Sequence, residues 1–325
     1  MSDIETFRSV GGVGQGMVNS LESLALGTRD ASASTRVSGL PLGLDLGAYA
    51  ESNVTLDPET AAFWFEFRQA GVPRFTLALL SDLAIAHKTI HRLVNEAPVG
   101  SAPPVKFFVC CSATPNVFSY GGDLALFQKC VRERNRQGLL AYAYACVEAI
   151  YNNAFGYEVP VVSVGVLQGD ALGGGFEGAI SFNILIAERG IKMGMPEVLF
   201  NAFPGMGAHS LLSRKLGAAR AEKLIFGGKL HSAEEMHELG LVHILADPGK
   251  GREAARKFLV ENARRYKLLH SYIGVRQKAD PVTLRELREI TEIWVDTVLQ
   301  LEEADLRKME ILHSAQLRRA KRPAP

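Results

Sequence analysis

Glu177 and Glu197 stand twenty positions apart, and each follows a turn built from glycine or proline. The first comes after Gly173-Gly174-Gly175 and belongs to Phe176-Glu177-Gly178-Ala179-Ile180, a pattern that opens a short helix. The second lies in Met195-Pro196-Glu197, ahead of another turn, Phe203-Pro204-Gly205-Met206-Gly207. A carboxyl group in apolar surroundings has a raised pKa and becomes a proton carrier near neutral pH. Met195, Val198 and Leu199 offer such surroundings to Glu197. Glycine lets backbone approach a ligand closely, and the free N–H groups of a helix's first turn attract negative charge. A further glycine turn, Tyr120-Gly121-Gly122, follows an apolar segment upstream. Two such turns, each presenting one N–H to a common point, make an oxyanion hole, where removing one donor costs roughly 2.7–4 kcal/mol of transition-state stabilisation. The residues alone leave a plainer reading open. A glutamate near a helix N-terminus stabilises the helix by about 0.3–1 kcal/mol, and a glutamate after proline serves equally well on a surface.

The patterning predicts the elements that carry these groups. Val105–Cys111 and Val159–Val166 are short apolar runs, the mark of buried strands, and each feeds a glycine turn. Ile184–Ile186 is a third strand, between the two glutamates. Residues 61–68 predict a strand, the stretch from Thr76 to Val94 a helix, and 131–153 a long helix. Downstream, 218–226 and 232–239 predict helices, the latter opened by a capping box of Ser232 and Glu235. A short strand over 241–245, a basic amphipathic helix over 250–267 and a helical region from Asp280-Pro281 to about Gln316 complete the reading. Residues 1–50 are poor in large side chains and read as a leader; Gly11-Gly12-Val13-Gly14-Gln15-Gly16 has neither the spacing nor the preceding strand of a dinucleotide fingerprint. The division is a leader at 1–50, a core at 51–260 and a helical C-terminal part at 261–325 with a basic end, Arg318 to Arg322.

Composition narrows the class. The chain has 325 residues, 47% of them hydrophobic, enough for a substantial core. With 36 basic and 35 acidic residues it has no global drive toward nucleic acid or anionic membrane. Cysteines 110, 111, 130 and 146 form no metal-binding spacing and read as reduced core thiols. His87 and His91 are one helical turn apart without a third ligand nearby, and read as surface histidines rather than a metal site. The chain lacks a long apolar run and the order of a signal peptide, which predicts a soluble, cytoplasmic protein. Met193, Met195 and Met206 either line an adaptable apolar tunnel or fill core.

Five segments, in order, resemble the crotonase (enoyl-CoA hydratase/isomerase) superfamily: 121–124, 168–177, 195–198, 203–207 and 232–242. Within it the chain resembles the diffusible signal factor synthases through Gly121–Phe127, Pro196–Ala208 and Ile290–Thr297. The resemblance implies an α/β fold, a crotonase-type spiral of ββα units with a C-terminal helical region, packing on its own core or on a neighbouring subunit. It implies Glu177 and Glu197 as catalytic residues and the N–H groups of Tyr120 and Gly174 as the oxyanion hole. Gly121, Gly122, Gly173, Gly175, Met195 and Met206 are then expected to bind substrate. Two positions depart from the pattern: Tyr120 is bulky, and Asp170 adds an acid, expected to be exposed. The implied reaction is dehydration of a 3-hydroxyacyl thioester on acyl carrier protein to a cis-2-enoyl thioester, then hydrolysis to the free acid. No metal or redox cofactor is implied, since the phosphopantetheine arm arrives with the substrate, and a homo-oligomer, a trimer or a dimer of trimers, is expected. Two other readings stand beside it: an enoyl-CoA hydratase or isomerase that acts on CoA thioesters without hydrolysis, and a non-catalytic binding protein of the same fold.

Overall fold

The computed structural model describes residues 45–155 and 158–320. Within them the chain repeats one unit, in which one strand joins a first sheet, the next joins a second sheet, and a helix returns. Strands β1 (Ser52–Asp57) and β2 (Ala62–Phe67) form an antiparallel hairpin, followed by helix α1 (Leu77–Asn95). Next come β3 (Phe107–Ser112), β4 (Asn116–Ser119), α2 (Leu124–Arg132) and α3 (Arg136–Phe155). The third unit is β5 (Val162–Leu167), β6 (Gly169–Leu172) and α4 (Gly174–Ser181). The fourth is β7 (Ile184–Glu188), β8 (Lys192–Gly194), a single 3-10 turn over Glu197–Phe200, α5 (Ala208–Leu216) and α6 (Ala218–Gly227). After β9 (Leu230–Ser232), α7 (Ala233–Glu238) and β10 (Ile244–Ala246) the chain is helical: α8 (Gly251–Asn262), α9 (Tyr266–Ala279), α10 (Leu284–Val298) and α11 (Glu303–Ala320).

The first sheet runs β1-β2-β3-β5-β7-β10 and is parallel from β2 onward. The second runs β4-β6-β8-β9, parallel through β8. This is the expected α/β spiral of ββα units. Parallel strands need crossovers, and crossover helices cover both faces of the sheet, so the strands read as continuous apolar runs. In β2, Phe63, Phe65 and Phe67 enter one core with α1 and α3, while Ala62 and Trp64 enter another with Ala255, Leu259, Tyr266 and Ile273.

Several expectations change in detail. Residues 45–50 belong to the core rather than to a leader: Leu46 and Tyr49 are buried, and the N–H groups of Ala50 and Glu51 donate to the Asp82 carboxylate. The rest of the expected leader, with its glycine run, lies outside the described residues, as do 321–325 of the basic end. The helix expected over 131–153 begins at Arg136, because Arg134 takes a left-handed φ of 51° and closes α2. That expected over 250–267 is two helices, α8 and the start of α9. His87 is buried, on the same stripe of α1 as Leu80, Leu83 and Ile90, and burial lowers its pKa to about 3. Asp170 is buried too, its Oδ1 accepting the Lys192 N–H at 2.7 Å, so it braces β6 against β8. The capping box at Ser232 and Glu235 forms as expected. No helix among the described residues is long and apolar enough to cross a membrane.

The C-terminal helices pack on this chain's own core. Arg136–Asp296, Arg288–Glu148 and Arg132–Glu303 tie them to α2 and α3, while buried Trp294, Val295 and Val298 of α10 face inward.

At the junction of the two glycine turns, backbone meets backbone. A Cβ on Gly175 would lie 2.2 Å from the Ser119 carbonyl oxygen. Gly175→Ala is therefore expected to destabilise the protein by about 3 kcal/mol or more, since rigid backbone has to shift. Urea unfolding checks this; a loss below about 1 kcal/mol contradicts the close approach.

Candidate active site

Three turns leave the second sheet at the same edge, because β4, β6 and β8 are parallel neighbours and each ends there. The first is Tyr120-Gly121-Gly122, the second Gly173-Gly174, the third Met195-Pro196-Glu197. Tertiary hydrogen bonds decide what each exposes. The Tyr120 N–H donates to the Pro73 carbonyl at 2.9 Å, and the Gly121 N–H to Ser119 Oγ at 3.1 Å. Among the described residues no acceptor takes the N–H of Gly122 or that of Gly174. A Cβ on Gly174 would lie 3.5 Å from the Gly122 nitrogen, so the two N–H groups are neighbours. The uncommitted N–H groups that stand side by side are thus those of Gly122 and Gly174, whereas the Tyr120 N–H, expected to face the site, is taken by Pro73. Three consecutive N–H groups look alike in sequence, and only partners distant in the chain tell them apart.

The remaining glycines shape this arrangement. Gly121 has φ +91° and passes so close that a Cβ would sit 2.8 Å from the Gly174 nitrogen. Gly173 caps α4 at φ +57°, ψ −132°, a backbone state that glycine reaches most readily. Tyr142 of α3 clasps the first turn: its hydroxyl donates to the Phe75 carbonyl at 2.7 Å and accepts the Asp123 N–H at 2.9 Å. At the far end of α4, Lys215 Nζ donates to the Ile180 carbonyl at 2.9 Å, a cation at the negative end of the helix dipole.

Glu177 lies in the first turn of α4 and is 2% exposed. Its Oε1 accepts the N–H groups of Met206 at 2.9 Å and Ala208 at 3.1 Å. Burial pushes its pKa up to about 7, against the pull of those two hydrogen bonds. Glu197 opens the 3-10 turn. As a residue it is half-buried, but its Oε2 is enclosed and takes no hydrogen bond. Its Oε1 would lie 2.8 Å from a Cβ on Gly173. Burial raises its pKa to about 8, with the Glu177 charge adding to the rise. The two carboxyl groups therefore titrate as a pair around neutral pH. Between its two midpoints the pair holds one proton, which the two N–H donors on Glu177 favour placing on Glu197, whose enclosed Oε2 has none.

Both glutamates and both free N–H groups open into one pocket of about 810 Å³, counted out to its mouth. Much of its wall is apolar, including Phe67, Leu83, Cys110, Phe118 and Phe182, as in small-molecule sites generally. Met206 is on its wall, as expected; Met195 is not, being 1% exposed in the main core. Gly121, Gly173 and Gly175 act through backbone geometry instead of lining the pocket. Cys146 lies on the wall near Glu177, and burial pushes its thiol up to about 12, which keeps it neutral and a poor nucleophile. Trp294, Phe127 and Tyr142 also line the site. Sequence reasoning missed them because helical apolar residues look the same whether they face a cavity or a core.

The family profile described as enoyl-CoA hydratase/isomerase matches residues 101–264, just over half of the chain. The chain belongs to the enoyl-CoA hydratase/isomerase family. It is 34% identical over 146 residues to a peroxisomal fatty acid beta-oxidation multifunctional protein of Arabidopsis thaliana, a match covering 45% of this chain and 20% of that protein. It is 30% identical over 175 residues to the mitochondrial methylglutaconyl-CoA hydratase of Rattus norvegicus, covering 53% of each. The match thus spans about half or less of these curated relatives. Among solved structures, human mitochondrial delta3-delta2-enoyl-CoA isomerase superposes with a TM-score of 0.67 at 17% identity, covering 84% of this chain and all of that one. Pseudomonas aeruginosa DspI gives 0.55 at 21% identity, covering 81% and 96%. At such identities the likeness is one of fold.

The buried carboxyls give this hydratase/isomerase-family chain a pH signature. Both folded pKa values lie above the unfolded value, so between about pH 4.5 and 8 the folded state binds more protons and stability falls as pH rises. Glu177→Gln and Glu197→Gln each remove part of that slope. Relative to the parent, each variant is expected to gain roughly 1–3 kcal/mol between pH 5 and pH 9. Chemical denaturation at the two pH values tests this; parallel stability curves would show that the carboxyls are solvated.

Proposed function

We propose that this chain is an acid–base enzyme acting at C2 and C3 of an acyl thioester. One observation carries the reading: two enclosed glutamates sit beside a pair of uncommitted N–H groups at an apolar pocket. The thioester carbonyl oxygen accepts from the Gly122 and Gly174 N–H groups, which stabilise the negative charge as the C2–H bond breaks. Glu177, held ionised by two hydrogen bonds, takes the C2 proton. Glu197, protonated, gives its proton to the departing C3 hydroxyl. The C3–O bond breaks, C2=C3 forms and water leaves. No cofactor is called for beyond the pantetheine arm of the substrate, carried by coenzyme A or acyl carrier protein.

The finer reading is that a 3-hydroxyacyl group on acyl carrier protein becomes a cis-2-enoyl thioester that is then hydrolysed. It is supported by the segment Ile290–Thr297, which carries the resemblance to signal-factor synthases and sends Trp294 into the pocket wall. After dehydration Glu197 is ionised and Glu177 protonated. Glu197 then takes a proton from a water attacking C1, the same N–H pair holds the tetrahedral oxyanion, the C–S bond breaks, and Glu177 protonates the sulfur. Both glutamates end as they began, and the free cis-2-enoic acid leaves.

Incubation with 3-hydroxyacyl-acyl carrier protein, followed by mass spectrometry, is expected to give free cis-2-enoic acid. Reversible hydration of trans-2-enoyl-CoA without acid release reduces the function to that of a hydratase. No turnover of either thioester overturns the proposal. Glu177→Gln and Glu197→Gln are each expected to fold and to lose at least about tenfold in kcat, toward the 10²–10⁴-fold typical of proton-transfer residues. Near-normal turnover by either variant removes that glutamate from the mechanism.

A further inference from the structure

We propose that Thr291 and Trp294 of helix α10 are positioning residues for the Glu177 carboxylate, acting through the turn from Gly205 to Ala208. The proposal rests on the acid–base reading of Glu177. Its physical core is a single peptide unit. The Gly205 carbonyl and the Met206 N–H belong to the same plane, and in a trans peptide they point in opposite directions. On one side the Met206 N–H donates to Glu177 Oε1 at 2.9 Å. On the other, the Thr291 hydroxyl lies 3.0 Å from the Gly205 carbonyl oxygen and 2.8 Å from the Leu287 carbonyl, sharing its one proton between them. Thr291 is fully buried, so no solvent competes for that contact.

Trp294 holds the same plate from a second direction. A Cβ on Gly205 would lie 2.2 Å from Trp294 Cγ and 2.4 Å from its Cδ1, so the indole rests directly on the glycine Cα and only glycine fits beneath it. The ring is fixed in turn by Phe127, at 5.6 Å between centroids. Rotating the plate to turn the Met206 N–H away from Glu177 would break the Thr291 contact and drive the backbone into the indole.

The consequence is electrostatic. Glu177 faces Glu197 from the 3-10 turn and Cys146 from α3, and neither favours its charged form. What favours the carboxylate is the pair of N–H groups from Met206 and Ala208. Loosening the plate weakens that pair and raises the Glu177 pKa above its value of about 7.

The test uses the full chain with ¹³C-carboxyl-labelled glutamate, the Glu177 resonance being assigned by its loss in Glu177→Gln. Thr291→Val is expected to raise the Glu177 midpoint by about half a unit, a threefold change in proton affinity. The acidic limb of kcat should move up by the same amount, kcat at pH 6 should fall about threefold and KM should stay within twofold, with Thr291→Ser restoring all three. A folded Thr291→Val whose Glu177 midpoint is unchanged overturns the proposal. If Thr291→Val does not fold, Trp294→Phe decides by the same titration, with an unmoved midpoint again refuting it. Should the parent turn over no thioester, the acid–base reading fails while the titration still decides whether α10 sets the carboxylate.

Discussion

Backbone from two successive units of the spiral meets with no side chain between, and the site depends on that contact. Gly175 lies against the Ser119 carbonyl and Gly121 against the Gly174 nitrogen, both at separations that leave no room for a methyl group. Only because the strands before these turns are parallel neighbours do two N–H groups, more than fifty residues apart in sequence, arrive side by side. The glutamates follow from the same geometry, one from the helix that begins at the second turn and the other from the 3-10 turn after the strand one place further along the sheet.

The carboxyl pair runs against the stability of the fold. Neither glutamate has a cation within ion-pair distance among the described residues, and Glu197 has an enclosed oxygen without a donor. Burial of an ionised carboxyl group without a counter-ion is costly, so the groups respond by holding protons at a pH where exposed carboxyls have lost theirs. Under the proposed mechanism, that response is what lets them move a proton between carbon and oxygen. The two backbone N–H groups on Glu177 then favour its charged form over that of Glu197.

Much of this was readable in sequence, for definable reasons. Strands covered on both faces are continuous apolar runs, so β3 and β5 stood out. Glycine triplets and a proline before a glutamate are local signals, and Glu177, Glu197 and Gly174, which they mark, come together at one pocket. What failed depended on partners far along the chain. Tyr120, Gly121 and Gly122 are equivalent until Pro73 and Ser119 claim the first two N–H groups. Asp170 looked exposed until β8 supplied a backbone donor. Met195 and Met206 share a side chain and differ only in which wall they face. Trp294 lies on an ordinary amphipathic helix, and nothing local shows that its indole ends above Gly205.

That last contact joins residues from opposite ends of the folding problem. Thr291 and Gly205 are 86 positions apart, so their meeting is among the long-range contacts that a chain makes at high entropic cost. The spiral's pocket and the helices that finish it are thus one packed unit, joined across a long stretch of chain. A chain whose spiral has formed but whose C-terminal helices have not yet docked holds both glutamates without the brace on the peptide that orients one of them. The brace on the Gly205–Met206 peptide is thus present only where α10 is docked on the spiral.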